Sequence, residues 1–146
     1  MQQITAMEVG LPVIDLERML KFYSEVLSCA EERRSDIPAA LSSGLTASAQ
    51  GYVNVWLKTP FGEVIKLMQA HTDTAQQTPT EFLTDRTGFA YLTFYCTDID
   101  ATLSAAEAQG AKLRSERGLL SGEIGVKLCF FEDPEGNVIE LVEPVT

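Results

Sequence analysis

Apolar and polar positions recur along this chain with two periods, and the periods divide it into elements. Residues 4–13 read as a strand, with an interruption expected near Gly10 or Pro12. Leu16, Met19, Leu20, Tyr23, Val26 and Leu27 follow at spacings of three and four, one face of a helix. Asp15 stands where an N-cap belongs. Residues 30–34 read as a short edge strand. Residues 36–50, rich in Ala, Ser and Gly with a Pro, read as a loop of the kind that often covers sites. Residues 52–58 alternate as a strand, and 63–69 as its hairpin partner.

A polar, threonine-rich stretch, 71–87, links this half to the next. There 89–96 reads as a strand. Asp98 caps a helix whose face is Ile99, Leu103 and Ala106, and Gly110 stops it. Residues 111–116 read as a short strand, and 117–125, with Gly118, Gly122 and Gly125, as a mobile loop. The closing hairpin is 126–132 and 137–143. Pro134 presets φ in its turn, and Gly136 supplies a positive φ.

The halves repeat. Pro60, Gly62, Val64, Ile65 and Leu67 match Pro134, Gly136, Val138, Ile139 and Leu141, a constant offset of 74 (134 − 60). The strand ends at Asp15 and Asp98 also align. Counting seven back from each aspartate reaches Glu8 and Tyr91, and Lys66 falls where Glu140 falls. A repeat sets the architecture before any motif is read. The fold class expected is α+β: two βαβββ units forming a curved mixed sheet, one helix per unit. The whole chain, 1–146, reads as one domain: unit one about 1–70, a linker 71–87, and unit two 88–146.

Composition narrows the function classes. A hydrophobic fraction of 45% supports a buried core. A net charge of −10 argues against nucleic acid and anionic membrane surfaces as partners. The N-terminal segment shows no basic, apolar leader pattern and no spanning run. Cys29, Cys96 and Cys129 are odd in number and widely spaced, as in a reduced, cytoplasmic compartment. Cys96 and Cys129 read as small buried hydrophobes.

The candidate chemistry sits on strand faces. Glu140 shares a face with Val138 and Val142, so it is either a paired structural charge or a site residue. Tyr52, Asn54 and Trp56 share one face of their strand, opposite Val53, Val55 and Leu57. That face reads either as a ligand-binding wall or as packed core. His71 reads as a surface or strand-end residue, and the arginines at 33, 34, 114 and 117 either as a solvated face, the favoured account, or as groups that meet an anionic substrate at a cavity mouth.

The segments Val9-Gly10-Leu11-Pro12-Val13-Ile14-Asp15-Leu16, Phe22-Tyr23-Ser24-Glu25-Val26-Leu27 and Phe131-Glu132-Asp133-Pro134-Glu135-Gly136-Asn137-Val138-Ile139-Glu140-Leu141 resemble the vicinal oxygen chelate superfamily. Its members include glyoxalase I, bleomycin-resistance proteins and extradiol dioxygenases. The resemblance implies glyoxalase-like half-barrels, a homodimer, a small-molecule ligand and, in the metal-dependent members, four ligand positions. Those positions are Glu8, Lys66, Tyr91 and Glu140 here. The family's ligands there are a His, a Glu or His, a His and a Glu, so Glu140 alone keeps the type.

These departures point away from a transition metal, whose sites draw on imidazole, thiolate and carboxylate and here lose their preferred nitrogen ligands. If the four positions converge as in the family, the Lys66 ammonium takes the metal's place between Glu8 and Glu140, with Tyr91 donating a hydrogen bond. Catalytic roles then fall to Glu8, Lys66, Tyr91 and Glu140, with Trp56, Tyr52 and Asn54 contacting substrate and no cofactor. The resulting expectation is a metal-independent member that binds an oxygenated organic molecule and performs a lyase or isomerase step. Three alternatives stay open. One is a non-catalytic, antibiotic-sequestering protein. Another is a metalloenzyme holding a hard cation through Glu8 and Glu140, with Lys66 turned away. The last is a purely structural polar plug, in which truncating one buried partner costs roughly 3–5 kcal/mol.

Overall fold

The computed structural model describes residues 1–145. The chain divides into two compact units, Met1–Gln76 and Gln77–Thr146. Each unit is a mixed sheet with a helix on its apolar face.

In the first unit β1 (Glu8–Pro12) leads into α1 (Leu16–Glu25), then β2 (Ala30–Ile37), α2 (Ala39–Gly44), β3 (Tyr52–Lys58) and β4 (Val64–Ala70). The sheet order is β1-β4-β3-β2, with β1 parallel to β4 and the other pairs antiparallel. The Arg18 backbone N–H donates to Asp15 Oδ1 at 3.1 Å, so the expected cap is formed. Leu16, Met19, Leu20, Phe22 and Tyr23 of α1 are buried, as are Val55, Leu57, Ile65 and Leu67 on the sheet. The alternation of period two thus sends one strand face to the helix and leaves Trp56 and Lys66 on the other.

The second unit runs β5 (Leu92–Tyr95), α3 (Ile99–Ala108), β6 (Lys112–Leu113), β7 (Leu119–Ser121), β8 (Val126–Glu132) and β9 (Val138–Pro144). Its sheet order is β5-β9-β8-β6, with β7 also paired to β8. Asp98 caps α3 by accepting from the Ala101 N–H at 2.8 Å. Ile99, Leu103 and Ala106 are buried, together with Cys129, Phe131, Ile139 and Leu141 of the sheet.

The repeat is visible in the registers. Gly10 stands opposite Lys66 in a parallel pair, and Thr93 stands opposite Glu140 in the other. Trp56 faces Lys66 as Phe130 faces Glu140. The hairpin turns also match. Thr59 N–H donates to Glu63 O and Gly62 N–H to Thr59 O; Asp133 N–H donates to Asn137 O and Gly136 N–H to Asp133 O. Gly62 and Gly136 have φ of +101° and +87°, the left-handed conformation such turns demand.

Several boundaries differ from the expectation. The first strand is confined to Glu8–Pro12 and is unbroken at Gly10. The short edge strand extends to Ile37 through a bulge between Glu31 and Arg33. The stretch beyond it is not all loop, since Ala39–Gly44 is a second, short helix. Ser42, buried inside it, donates to Ser48 O at 2.6 Å, a local tie that periodicity does not reveal. Residues 89–91 lie outside β5, because the parallel ladder begins only at Leu92 opposite Ile139. The strand expected over 111–116 shrinks to two residues, while the expected loop 117–125 contains β7. Among the described residues, no helix is long and apolar enough to cross a membrane.

Candidate functional site

The exposed sheet face of the first unit gathers charge around an aromatic side chain. Arg33, Trp56, Lys66 and Gly10 stand opposite one another across β2, β3, β4 and β1. The Arg33 guanidinium lies over the Trp56 ring, 3.7 Å from its centroid, a cation–π stack. Lys66 Nζ lies 3.0 Å from Glu8 Oε2, and their side chains keep 30% and 38% of their exposure. The pair is therefore partly solvated, not a buried plug. Its ion-pair energy falls to about 0–1 kcal/mol, well below the cost of truncating a buried partner.

Tyr52 is half-buried at the start of β3, opposite Ile37 and Ala70. Asn54 is 3% exposed, and its Oδ1 accepts no hydrogen bond among the described residues. It faces Ser35 and Met68, one row along from Trp56.

In the second unit Glu140, half-buried on β9, accepts from the Thr93 hydroxyl at 2.7 Å. Thr93 is its parallel-strand partner, a residue whose polarity alone does not single it out. Tyr91 is 46% exposed and meets Phe130 edge-on, with ring centroids 5.1 Å apart. Phe130 is in turn the cross-strand partner of Glu140. Of the four family positions, then, Glu8 and Lys66 are joined by an ion pair in one unit. In the other, Tyr91 and Glu140 are each held by a further residue, Phe130 and Thr93.

The donor chemistry at the first two positions does not fit a divalent ion. Glu8 is neutralised by an ammonium that would oppose a metal, and Lys66 is turned toward Glu8 rather than away. Among the described residues, no three His, Cys, Asp or Glu side chains gather as a metal-binding group.

The other candidates have structural partners. His71 Nε2 lies 2.8 Å from Asp36 Oδ1, joining the end of β4 to β2. Arg34 pairs with Glu17 and Glu31, and Arg117 with Glu107. Arg114, deeply set, pairs with Glu132 and donates to the Thr80 and Glu81 carbonyls. It thereby fastens the threonine-rich segment to its sheet.

Burial pushes all three thiols upward. Cys29 rises to about 11, mainly by desolvation and then by the nearby Glu63 carboxylate. Cys96 and Cys129 shift the same way, again chiefly by desolvation. Because the folded pKa exceeds the unfolded one, the Cys29 thiol contributes stability below about pH 9 and loses it as pH climbs toward 11. Urea titrations across that range should show falling stability, with a shallower fall in Cys29→Ala. Equal slopes would contradict the assignment.

A family profile described as "Glyoxalase/Bleomycin resistance protein/Dioxygenase superfamily" matches residues 5–141. No curated protein sequence matches the chain significantly. Among solved structures, a glyoxalase family protein from Bacillus cereus is 22% identical, with a TM-score of 0.81 over 99% of this chain and 97% of that one. A fosfomycin resistance protein, FosX, from Listeria monocytogenes, complexed with Mn(II) and sulfate, is 15% identical, with a TM-score of 0.65 over 99% and 95%. A glyoxalase I mutant from Zea mays is 20% identical, with a TM-score of 0.67 over 95% of this chain and 44% of that one. At these identities the likeness is one of fold.

Proposed function

Because the chain belongs to the glyoxalase/bleomycin resistance protein/dioxygenase superfamily, we propose that it binds a small, partly apolar, oxygenated organic molecule without a metal, through the Lys66 ammonium. The observation that carries this reading is the Lys66–Glu8 ion pair at 3.0 Å, at two positions where metal-dependent relatives hold ligands. An ammonium is a point charge with three donors, suited to holding a carboxylate or polarising a carbonyl. The indole of Trp56 beside it offers the apolar wall.

The chemistry such a ligand would meet is proton transfer, as in an isomerase or lyase. Charge developing on the bound oxygen is stabilised by Lys66. Within the second unit, Thr93 orients Glu140 through one carboxylate oxygen, which supports a base role for Glu140. Glu8 is committed to Lys66, and Tyr91 carries a phenolic donor. The reading extends to a cytoplasmic homodimer.

Calorimetry of chelator-treated protein against small hydroxy- and oxo-carboxylates tests the proposal. Wild type should bind at least one of them, with no gain from added Mn(II) or Zn(II). Lys66→Met should lose tenfold or more in affinity, roughly 1.4 kcal/mol. Its melting temperature should barely move, because the ion pair is partly solvated. Glu140→Gln should abolish turnover while affinity stays within tenfold. Turnover that requires an added metal would overturn the reading. Tight binding with no turnover across the panel would leave a sequestering protein.

A further inference from the structure

We infer that Arg33, Trp56 and Asn54 form a recognition subsite for a hydroxylated organic anion on the sheet face of the first unit. This subsite rests on the proposed ligand-binding function, which makes this face the ligand's side.

The first observation is a guanidinium held in place without a carboxylate. The chain carries 21 acidic and 11 basic residues, so carboxylate partners are plentiful. Arg34, Arg114 and Arg117 each pair with one, while among the described residues Arg18 and Arg86 do not, Arg86 donating to Gln77 instead. Arg33, among the described residues, does not; its plane lies against Trp56 instead. Stacking uses the face of the guanidinium and leaves its N–H edge available. That edge matches the two oxygens of a carboxylate or phosphonate. A group already oriented by an aromatic ring loses little freedom when it takes an anion.

The second observation is independent. Asn54 is 3% exposed, and its enclosed Oδ1 receives no donor among the described residues. An enclosed amide oxygen without a donor disfavours the folded state. The internal repeat shows that the fold does not require an amide there. The cognate residue is Leu128 (54 + 74), which faces Val142 as Asn54 faces Met68. One half of the duplication fills the position with an apolar side chain of similar size, and the other keeps an acceptor awaiting a hydrogen-bond donor. A ligand hydroxyl or N–H that displaces the cover of this oxygen supplies that donor.

Spacing joins the two. Arg33 and Trp56 share one row of the sheet, and Ser35 and Asn54 share the next row on the same face. Such rows are about 7 Å apart. An anionic group in the Arg33 row and a hydroxyl in the Asn54 row are therefore about one aromatic ring apart.

The probes are 4-hydroxybenzoate and benzoate, which differ only in the donor hydroxyl, titrated calorimetrically into the full metal-free chain. Wild type should bind 4-hydroxybenzoate at least tenfold more tightly than benzoate. Arg33→Gln should weaken both at least tenfold. Asn54→Leu, which copies the other half's residue, should bind the two equally, and should raise the melting temperature of the free protein. Several outcomes overturn the inference: no preference in wild type, no measurable affinity for either probe, or a preference retained in Asn54→Leu. A lowered melting temperature in that variant also overturns it, because the amide would then have a structural partner. Binding lost in Lys66→Met but kept in Arg33→Gln and Asn54→Leu sinks this subsite and spares the Lys66 reading. The converse pattern spares the subsite and sinks Lys66 as anchor.

Discussion

Phe131→Ala is expected to cost roughly 3–5 kcal/mol of unfolding free energy, among the largest losses expected from a single truncation in this chain. Phe131 is fully buried on β8, beside Ile139 across the hairpin and on the face covered by α3. Its removal leaves a hole that the β-ladder on both sides cannot collapse into. Small proteins hold about 5–15 kcal/mol in all, so one truncation removes about a fifth of that reserve or more. The repeat provides a matched control. Leu57 (131 − 74) occupies the cognate position, is equally buried and pairs with Ile65. Leu57→Ala should cost about 2–5 kcal/mol. Urea denaturation gives both values, and amide exchange should locate the Phe131→Ala loss in β8 and β9. A change below about 1 kcal/mol for Phe131→Ala would mean that this face is not packed as described.

The second large effect is at the turn. Asp133, 2% exposed, accepts from the Glu135 N–H at 2.9 Å, the Asn137 N–H at 2.9 Å and the Asn137 side-chain amide at 2.8 Å. One carboxylate thus satisfies two backbone donors in a tight loop. Asp133→Ala leaves them without an acceptor and should cost about 3 kcal/mol, because hydrogen bonds to a charged group are among the strong ones. Asp133→Asn keeps one acceptor oxygen and should lose about half as much. The cognate residue in the first unit is Thr59, whose hydroxyl bonds to the exposed Glu63 carboxylate. Thr59→Ala should cost no more than about 1 kcal/mol. Equal losses at 59 and 133 would show that the two turns are stabilised by backbone geometry alone.

How much of this was legible in the sequence depends on the range of the interactions concerned. The caps at Asp15 and Asp98 and the proline–glycine turns were legible because each is completed within a few residues. So were the two helix faces, since period 3.6 is a local property. Segments whose state is set by distant partners were not legible. The strand β7 exists because Leu119 meets Leu128 in an antiparallel ladder. Residues 89–91 lack a partner in the parallel ladder that begins at Leu92, so their apolar character does not make them a strand.

The candidate site divides the same way. Read alone, the amino-acid order establishes that the chain is duplicated, which residue types stand at the cognate positions, and that no histidine stands at any of the four. It also places Trp56 and Asn54 on one strand face, since strand alternation needs no partner. Only the folded sheets decide that Lys66 reaches Glu8, that Glu140 is held by Thr93, that Arg33 lies over Trp56 and that the Asn54 oxygen is enclosed. Those outcomes turn on register, because a period of two says which face a side chain takes but not which residue of another strand stands beside it. Parallel pairing between segments far apart in the chain, and a bulge at Glu31/Arg33, set those neighbours.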